Sequence, residues 1–179
     1  MNGLTISLPG YDIGTGLIHP GGRIVFRAAR REDQAPVLIH TLKSQYPDSR
    51  QIAEIKREAE IAISLRNIAG VIGIYGVESY GSGNLALITE PFQYSLADIL
   101  ANEDQQDFTL RRALRLGIQL VHILDQVHKQ GIIHKALTPE HILIDETTDE
   151  VRLSGFGIAS ELSREHQAGL SERLEGPLP

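Results

Sequence analysis

The chain has 179 residues, enough for one domain with a sizeable hydrophobic core or for two small lobes that share an interface. Its 17 Lys and Arg residues against 23 Asp and Glu residues give a net charge of −6, which does not favour nucleic acid or an anionic membrane surface as a partner. There is no cysteine, which excludes disulfides and thiolate metal clusters. With no leader-like start and no long apolar run, we expect a cytoplasmic protein without a membrane segment.

The first half of the chain has the pattern of β-strands around one helix. Apolar-rich segments 24–29 and 37–43 flank a polar turn and predict a hairpin. Apolar residues at helical spacing after Asp48 then predict a helix that ends before Gly70. Two more strands are predicted at 71–77 and 85–89, so the expected order is β-β-α-β-β.

The second half of the chain has a helical pattern. Residues 95–100 predict a short helix, and residues 109–130 predict a long one that begins at Thr109. The long helix carries an apolar stripe that includes Leu110, Leu114 and Val121. A last hairpin is predicted at 142–145 and 151–154.

The order of these elements and the spacing of several motifs resemble a protein kinase domain from about Tyr11 onward. The resemblance implies an α+β protein-kinase-like fold, with a β-rich N lobe carrying one αC-type helix (1–90) and a partial, mainly helical C lobe ending in the activation segment (91–179). Because the sequence stops before an Ala-Pro-Glu-like motif, we expect a truncated C lobe whose long helix exposes apolar surface. The alternative is that the sequence is a fragment of a longer polypeptide. Phrases such as PGYDI and LEGPLP are most similar to the N-terminal kinase domain of large bacterial signalling proteins that also carry an ATPase module and a sensor histidine kinase.

In this family, a Lys on a strand holds the α and β phosphates of ATP, and a Glu on the following helix keeps the Lys in place. The HTLK motif makes Lys43 the candidate, and the REAEIAIS motif selects Glu58 as its partner. The alternative is that Lys43 is a solvated strand residue and Glu58 a helix-surface charge. The family's glycine-rich loop is matched poorly, since Ile18, Pro20 and Arg23 stand at its three glycine positions.

Three positions that carry the chemistry of the family are changed in this chain. Ala136 stands at the catalytic aspartate, His141 at the metal-binding asparagine, and Gly155 at the aspartate of D-F-G. A methyl group cannot accept the proton of a substrate hydroxyl, and imidazole is not a ligand that magnesium prefers. His134 matches the family's packing histidine. We therefore expect no intact catalytic group and no metal site.

The nucleotide pocket is less altered than these catalytic positions. The resemblance places Val25 and Thr41 above an adenine and Leu143 below it. The hinge groups would be the carbonyl of Glu90 and the N–H and carbonyl of Phe92. The expected nucleotide-binding residues are Lys43, Glu58, Val25, Thr41, Glu90, Phe92 and Leu143, with ATP as the ligand and no requirement for magnesium.

Three functions are open at this point. The leading interpretation is a pseudokinase, a nucleotide-binding or protein-interaction module in bacterial signalling that contacts a protein partner or adjacent domains. The second is an active ATP-dependent Ser/Thr protein kinase with unconventional catalytic residues. The third is a structural remnant with no ligand. The expected apolar surface would also permit a homodimer.

Overall fold

A computed structural model describes residues 6–19, 23–44, 46–81, 83–101, 108–145 and 147–162. The first half of the chain contains five strands: β1 (Tyr11–His19), β2 (Arg23–Arg30), β3 (Pro36–Leu42), β4 (Ile74–Tyr80) and β5 (Asn84–Thr89). They form one antiparallel sheet in the spatial order β1-β2-β3-β5-β4. The strands predicted from the sequence are all present, and β1 is an additional one. The expected glycine-loop positions at residues 20–22 lie outside the described residues.

Strand β1 was not predicted because its glycines are unfavourable in a strand interior. The structure explains why they are there. A Cβ atom on Gly16 would overlap the ring of Phe26 on β2, and one on Gly14 would come within 3.0 Å of the Arg27 carbonyl oxygen. The pairing of β1 with β2 also shifts register between Ile13 and Gly16. The glycines therefore permit a close, irregular pairing rather than a loop.

Helix α1 (Ser49–Ser64) begins with a capping box at Asp48. The Asp48 carboxylate accepts the N–H of Gln51 at 2.8 Å, and the Gln51 side chain accepts the N–H of Asp48 at 3.1 Å. These two bonds satisfy backbone groups that a helix start would otherwise leave unpaired. The predicted start is confirmed, and the helix ends earlier than the predicted limit before Gly70.

The second half contains strands β6 (Tyr94–Ser95), β7 (Ile132–Ile133), β8 (Ile142–Ile144), β9 (Val151–Leu153) and β10 (Ser160–Glu161), with helices α2 (Leu96–Ala101) and α3 (Leu110–Lys129). The strands form two small sheets, β6-β8-β9 and β7-β10. The expected α+β fold is thus confirmed. The division at residues 90 and 91 stays a prediction, and residues 163–179 of the expected activation segment lie outside the described residues.

Helix α1 belongs to two hydrophobic cores at once. Ile55 and Ala59 pack with Leu85 and Leu87 of β5 in one core. The end of the helix joins a second core with α3, β8 and β9, through Ile61, Ala62 and Leu65. A parallel bridge between Val71 and Leu153 adds a backbone link between the two halves. The position of α1 therefore depends on both halves of the chain.

Helix α3 is apolar on two faces. The face buried in the core carries Leu116, Ile123 and Val127. The predicted stripe is divided between the two faces: Leu120, Leu124 and Val127 pack in the core, whereas Leu110, Leu114 and Val121 are exposed. Together with Ile118, these exposed residues form an apolar surface on α3, as the sequence led us to expect. Within the described ranges, no helix is long and apolar enough to cross a membrane.

The two faces of α3 should respond differently to truncation. We expect Leu116→Ala to lower the free energy of unfolding by about 2–5 kcal/mol, because it opens a cavity in the core. Leu114→Ala on the same helix should change it by no more than about 0.5 kcal/mol, since that side chain is 60% exposed. Urea denaturation followed by circular dichroism would measure both values. Equal costs for the two variants would contradict the burial described for α3.

Candidate functional site

A cavity of about 530 Å³ separates the sheet from the second half of the chain. Val25 on β2 and Leu38 on β3 line it from the sheet side, and Leu143 on β8 lines it from the opposite side. Phe92 lies in the segment that joins the two halves of the chain, and Tyr94 follows that segment. Both residues line the cavity. The volume and the apolar walls are those of a small-molecule site.

An ion pair lies at the inner end of this cavity. The Nη2 atom of Arg23 is 2.6 Å from Oε2 of Glu58. Arg23 is the first residue of β2, and Glu58 lies on the buried face of α1. The other carboxylate oxygen of Glu58 accepts the backbone N–H of Gly155 at 3.1 Å. Glu58 therefore joins the sheet, the helix and the turn after β9.

The Glu58 carboxylate is charged despite its burial. Burial raises its pKa and is the largest single influence, but the charge and hydrogen bond of Arg23 oppose it. His40 and the N–H of Gly155 lower the pKa further, so that it lies below the usual range. A carboxylate with a lowered pKa does not donate a proton near neutral pH, so Glu58 is a fixed negative charge that orients its cation.

The expected pair of Lys43 with Glu58 is not the one that the structure contains. Strand β3 ends at Leu42, and Lys43 is exposed in the bend that follows. Both residues are described, and no ion pair joins them; Glu58 contacts Arg23 instead. The pairing of β2 with β3 places His40 opposite Val25. His40 faces the cavity, where its Nε2 atom lies 3.0 Å from the Thr89 hydroxyl.

The expected position of Thr41 above an adenine is also corrected. Successive side chains of a strand point to opposite faces, so Thr41 and His40 cannot both face the cavity. Thr41 is buried on the opposite face of β3. That face also carries Val37 and Ile39, which pack with Ile24 and Phe26 of β2 in a third hydrophobic core. Leu38 takes the place beside Val25 that was expected for Thr41.

The joining segment is close to the arrangement expected from the sequence. Phe92 lines the cavity, and among the described residues its backbone N–H and carbonyl have no hydrogen-bond partner. The Glu90 carbonyl accepts the Thr89 hydroxyl at 3.1 Å, which leaves it one lone pair. The Glu90 carboxylate binds the N–H of Gly73 at 2.9 Å.

His134 is held as a packing residue. It accepts the N–H of Ala136 on Nδ1 at 3.2 Å, and Nε2 donates to the Ser154 carbonyl at 2.7 Å. Its ring packs edge-on against Phe156, with 4.6 Å between centroids. Burial lowers the pKa of His134, with a smaller opposing contribution from the Ser154 carbonyl. These contacts require a neutral ring with the proton on Nε2.

His141 and Gly155, the two residues that the resemblance aligns with magnesium ligands, lie next to each other. Nδ1 of His141 lies 2.7 Å from the Ala136 carbonyl, which fixes the imidazole in place. Gly155 has a φ of 83°, and a Cβ atom on it would overlap the His141 ring. Among the described residues, no group of three or more His, Cys, Asp or Glu side chains could hold a metal ion. The residues at this position therefore do not fit magnesium.

Among the cavity-lining residues that the sequence reasoning did not select are Arg23, Leu38, His40 and Thr89. Arg23, Leu38 and His40 could have been found from the alternation of side chains along β2 and β3, once the two strands were paired in the correct register. Arg23 and Val25 share one face of β2, and Val25 pairs with His40 on β3. Thr89, the last residue of β5, pairs with Leu38.

Known protein kinases share low but extended similarity with this chain. It is 25% identical over 149 residues to a probable serine/threonine-protein kinase of Clostridium acetobutylicum, covering 83% of this chain and 22% of that protein. A probable serine/threonine-protein kinase of Clostridium perfringens is 27% identical over 143 residues, covering 79% of this chain and 20% of its own length. The mitogen-activated protein kinase kinase kinase mom-4 of Caenorhabditis elegans is 25% identical over 149 residues, covering 83% and 26%.

The chain thus spans about a fifth to a quarter of the length of these relatives. A family model of the protein kinase domain matches residues 12–175, nearly the whole chain. The chain belongs to the protein kinase domain family.

Proposed function

We propose that this protein kinase domain is a pseudokinase, which binds an adenine nucleotide without magnesium and transfers no phosphate. The observation that carries the proposal is the imidazole of His141, which occupies the space beside Gly155 that a metal-binding side chain would need. Phosphoryl transfer in this family depends on metal ions held by protein side chains and on an aspartate that receives the substrate proton.

Nucleotide binding is supported by the part of the site that has kept its shape. Val25 and Leu38 face Leu143 across an apolar gap of the kind that accepts a flat aromatic base. Phe92 lines the cavity, and among the described residues its backbone N–H and carbonyl are free to bond a base. The bacterial relatives support a role in bacterial signalling, and the absence of cysteine suits the cytoplasm as the place of action.

The second candidate is an active Ser/Thr kinase. It is favoured by the buried carboxylate of Glu58, which still holds a cation at the cavity, and by the kinase names of the relatives. An active enzyme of this kind would need magnesium for nucleotide binding, whereas the proposed pseudokinase would not.

Thermal unfolding with ATP separates these candidates. In EDTA, ATP at about one hundred times its dissociation constant should stabilise the protein by about 2.7 kcal/mol, which raises the Tm by several degrees. Replacing EDTA with magnesium should not enlarge the shift. In parallel, a serine-containing substrate protein incubated with labelled ATP and magnesium should acquire no label.

A shift that requires magnesium, with label transferred to the substrate, would favour the kinase and contradict the proposal. A folded sample with no shift in either buffer would support the third candidate, a remnant without a ligand.

The packing of His141 against Gly155 predicts a strong coupling between substitutions. Gly155→Asp alone should lower the free energy of unfolding by about 1–3 kcal/mol, because its side chain meets the His141 ring. His141→Asn in the same chain should restore at least about 1 kcal/mol of that loss by making room for the carboxylate. Denaturant unfolding of the wild type, both single variants and the double variant would measure the coupling.

Additive effects of the two substitutions would contradict the shared volume. The positive φ of Gly155 adds a cost that His141→Asn cannot remove, so full recovery is not expected.

A further inference from the structure

We propose that Arg23 is the phosphate-binding cation of this site, and that it contacts the phosphates of a metal-free adenine nucleotide directly while Glu58 positions it. This inference rests on the proposed nucleotide binding. It assigns to the first residue of β2 a contact that the sequence assigned to Lys43.

The guanidinium of Arg23 has N–H donors beyond the one that binds Glu58. Arginine carries five N–H donors in a planar fork, and among the described residues Arg23 donates one hydrogen bond, from Nη2 to Glu58. Its side chain is 27% exposed and lines the cavity. The planar fork suits two oxygens of one phosphate group, and such charge-assisted pairs are strong where water is partly excluded.

The placement of Arg23 matches the length of a nucleotide. Val25, two residues further along the same face of β2, lies over the apolar gap. A strand advances about 3.3 Å per residue, so Arg23 starts about 6.6 Å from that gap, toward Glu58. A base held between Val25 and Leu143 would therefore direct its phosphates toward Arg23.

Other cations near the sheet are less well placed for this contact. Lys43 is exposed beyond the end of β3. Arg27 lies on the far side of Val25, away from the ion pair, and is exposed at the rim of the cavity. His40 is engaged with the Thr89 hydroxyl.

Phosphate binding without magnesium needs a cation from the protein. Magnesium normally offsets the charge of the phosphates in this family, and the positions of His141 and Gly155 do not fit it. A guanidinium is a permanent cation in proteins, so an arginine can offset phosphate charge without a metal. Glu58 then orients the guanidinium of Arg23 and does not itself select the ligand.

Isothermal titration with adenosine and with ADP in EDTA tests this assignment. The wild type should bind ADP at least about tenfold more tightly than adenosine, because the phosphates add a charge-assisted contact. Arg23→Gln should remove most of this preference, which is the ratio of the two dissociation constants measured on the same variant. Lys43→Gln, which removes one positive charge outside the cavity, is the matched control and should keep the full preference.

Arg23→Gln leaves a buried carboxylate without its cation, so two further variants guard against simple unfolding. Arg23→Gln with Glu58→Gln removes both charges and should fold while still lacking the preference for ADP. Arg23→Lys keeps the positive charge without the planar fork and should retain part of the preference for ADP.

A preference for ADP that survives in the double variant, or that is lost in Lys43→Gln, would overturn the role of Arg23. Equal binding of ADP and adenosine by the wild type would overturn it too, while leaving nucleotide binding intact. A folded wild type that binds neither ligand would overturn the proposed nucleotide binding itself, and this inference with it.

Discussion

A carboxylate buried inside a protein needs a cation, and the pair formed by Glu58 with Arg23 meets that need at the junction of the sheet, helix α1 and the second half of the chain. Removing one partner of such a pair costs about 3–5 kcal/mol, because the other is left charged and buried. The Gly155 N–H bonds the same carboxylate, and the Arg57 side chain bonds the Ala159 carbonyl at 2.8 Å. The ion pair thus fixes the helix, the strand that opens the cavity and the turn at its inner end.

The same region contains the positions at which the chain departs from the family's motifs. His141 is held by the Ala136 carbonyl and fills the volume beside Gly155. The change at one position therefore accommodates the change at the other, and a single restoring substitution meets a steric obstacle. The proposed phosphate-binding residue, Arg23, lies on β2 and is linked to this region through Glu58, which accepts the Gly155 N–H. In the proposed function, nucleotide binding and phosphoryl transfer are separable because their chemical groups lie on different elements of the fold.

Most elements of the fold could be predicted from the sequence, because the period of apolar residues and the chemistry of turns and caps are local. The changed positions Ala136, His141 and Gly155 were found for the same reason, from one short motif and a fixed spacing. The register of β3 could not be predicted from local patterns, because it depends on how the polar turn between β2 and β3 is closed. The sequence predicted Lys43 at the cavity, whereas the structure has His40 there. The two positions differ by an odd number of residues, so the predicted faces of β3 were exchanged, and Thr41 lies in the core rather than at the cavity. Contact between His141 and Gly155 depends on a positive φ that no pattern reveals.

The most direct test of the account is a crystal structure of the protein with ADP and manganese, with data collected at the manganese absorption edge. Manganese is a substitute for magnesium whose position anomalous scattering reports without ambiguity. The account predicts ADP between Val25 and Leu143, with its phosphates beside the Arg23 guanidinium, and no anomalous peak near His141 or Gly155. A manganese ion bound between the phosphates and these residues, with Arg23 turned away from the nucleotide, would contradict it.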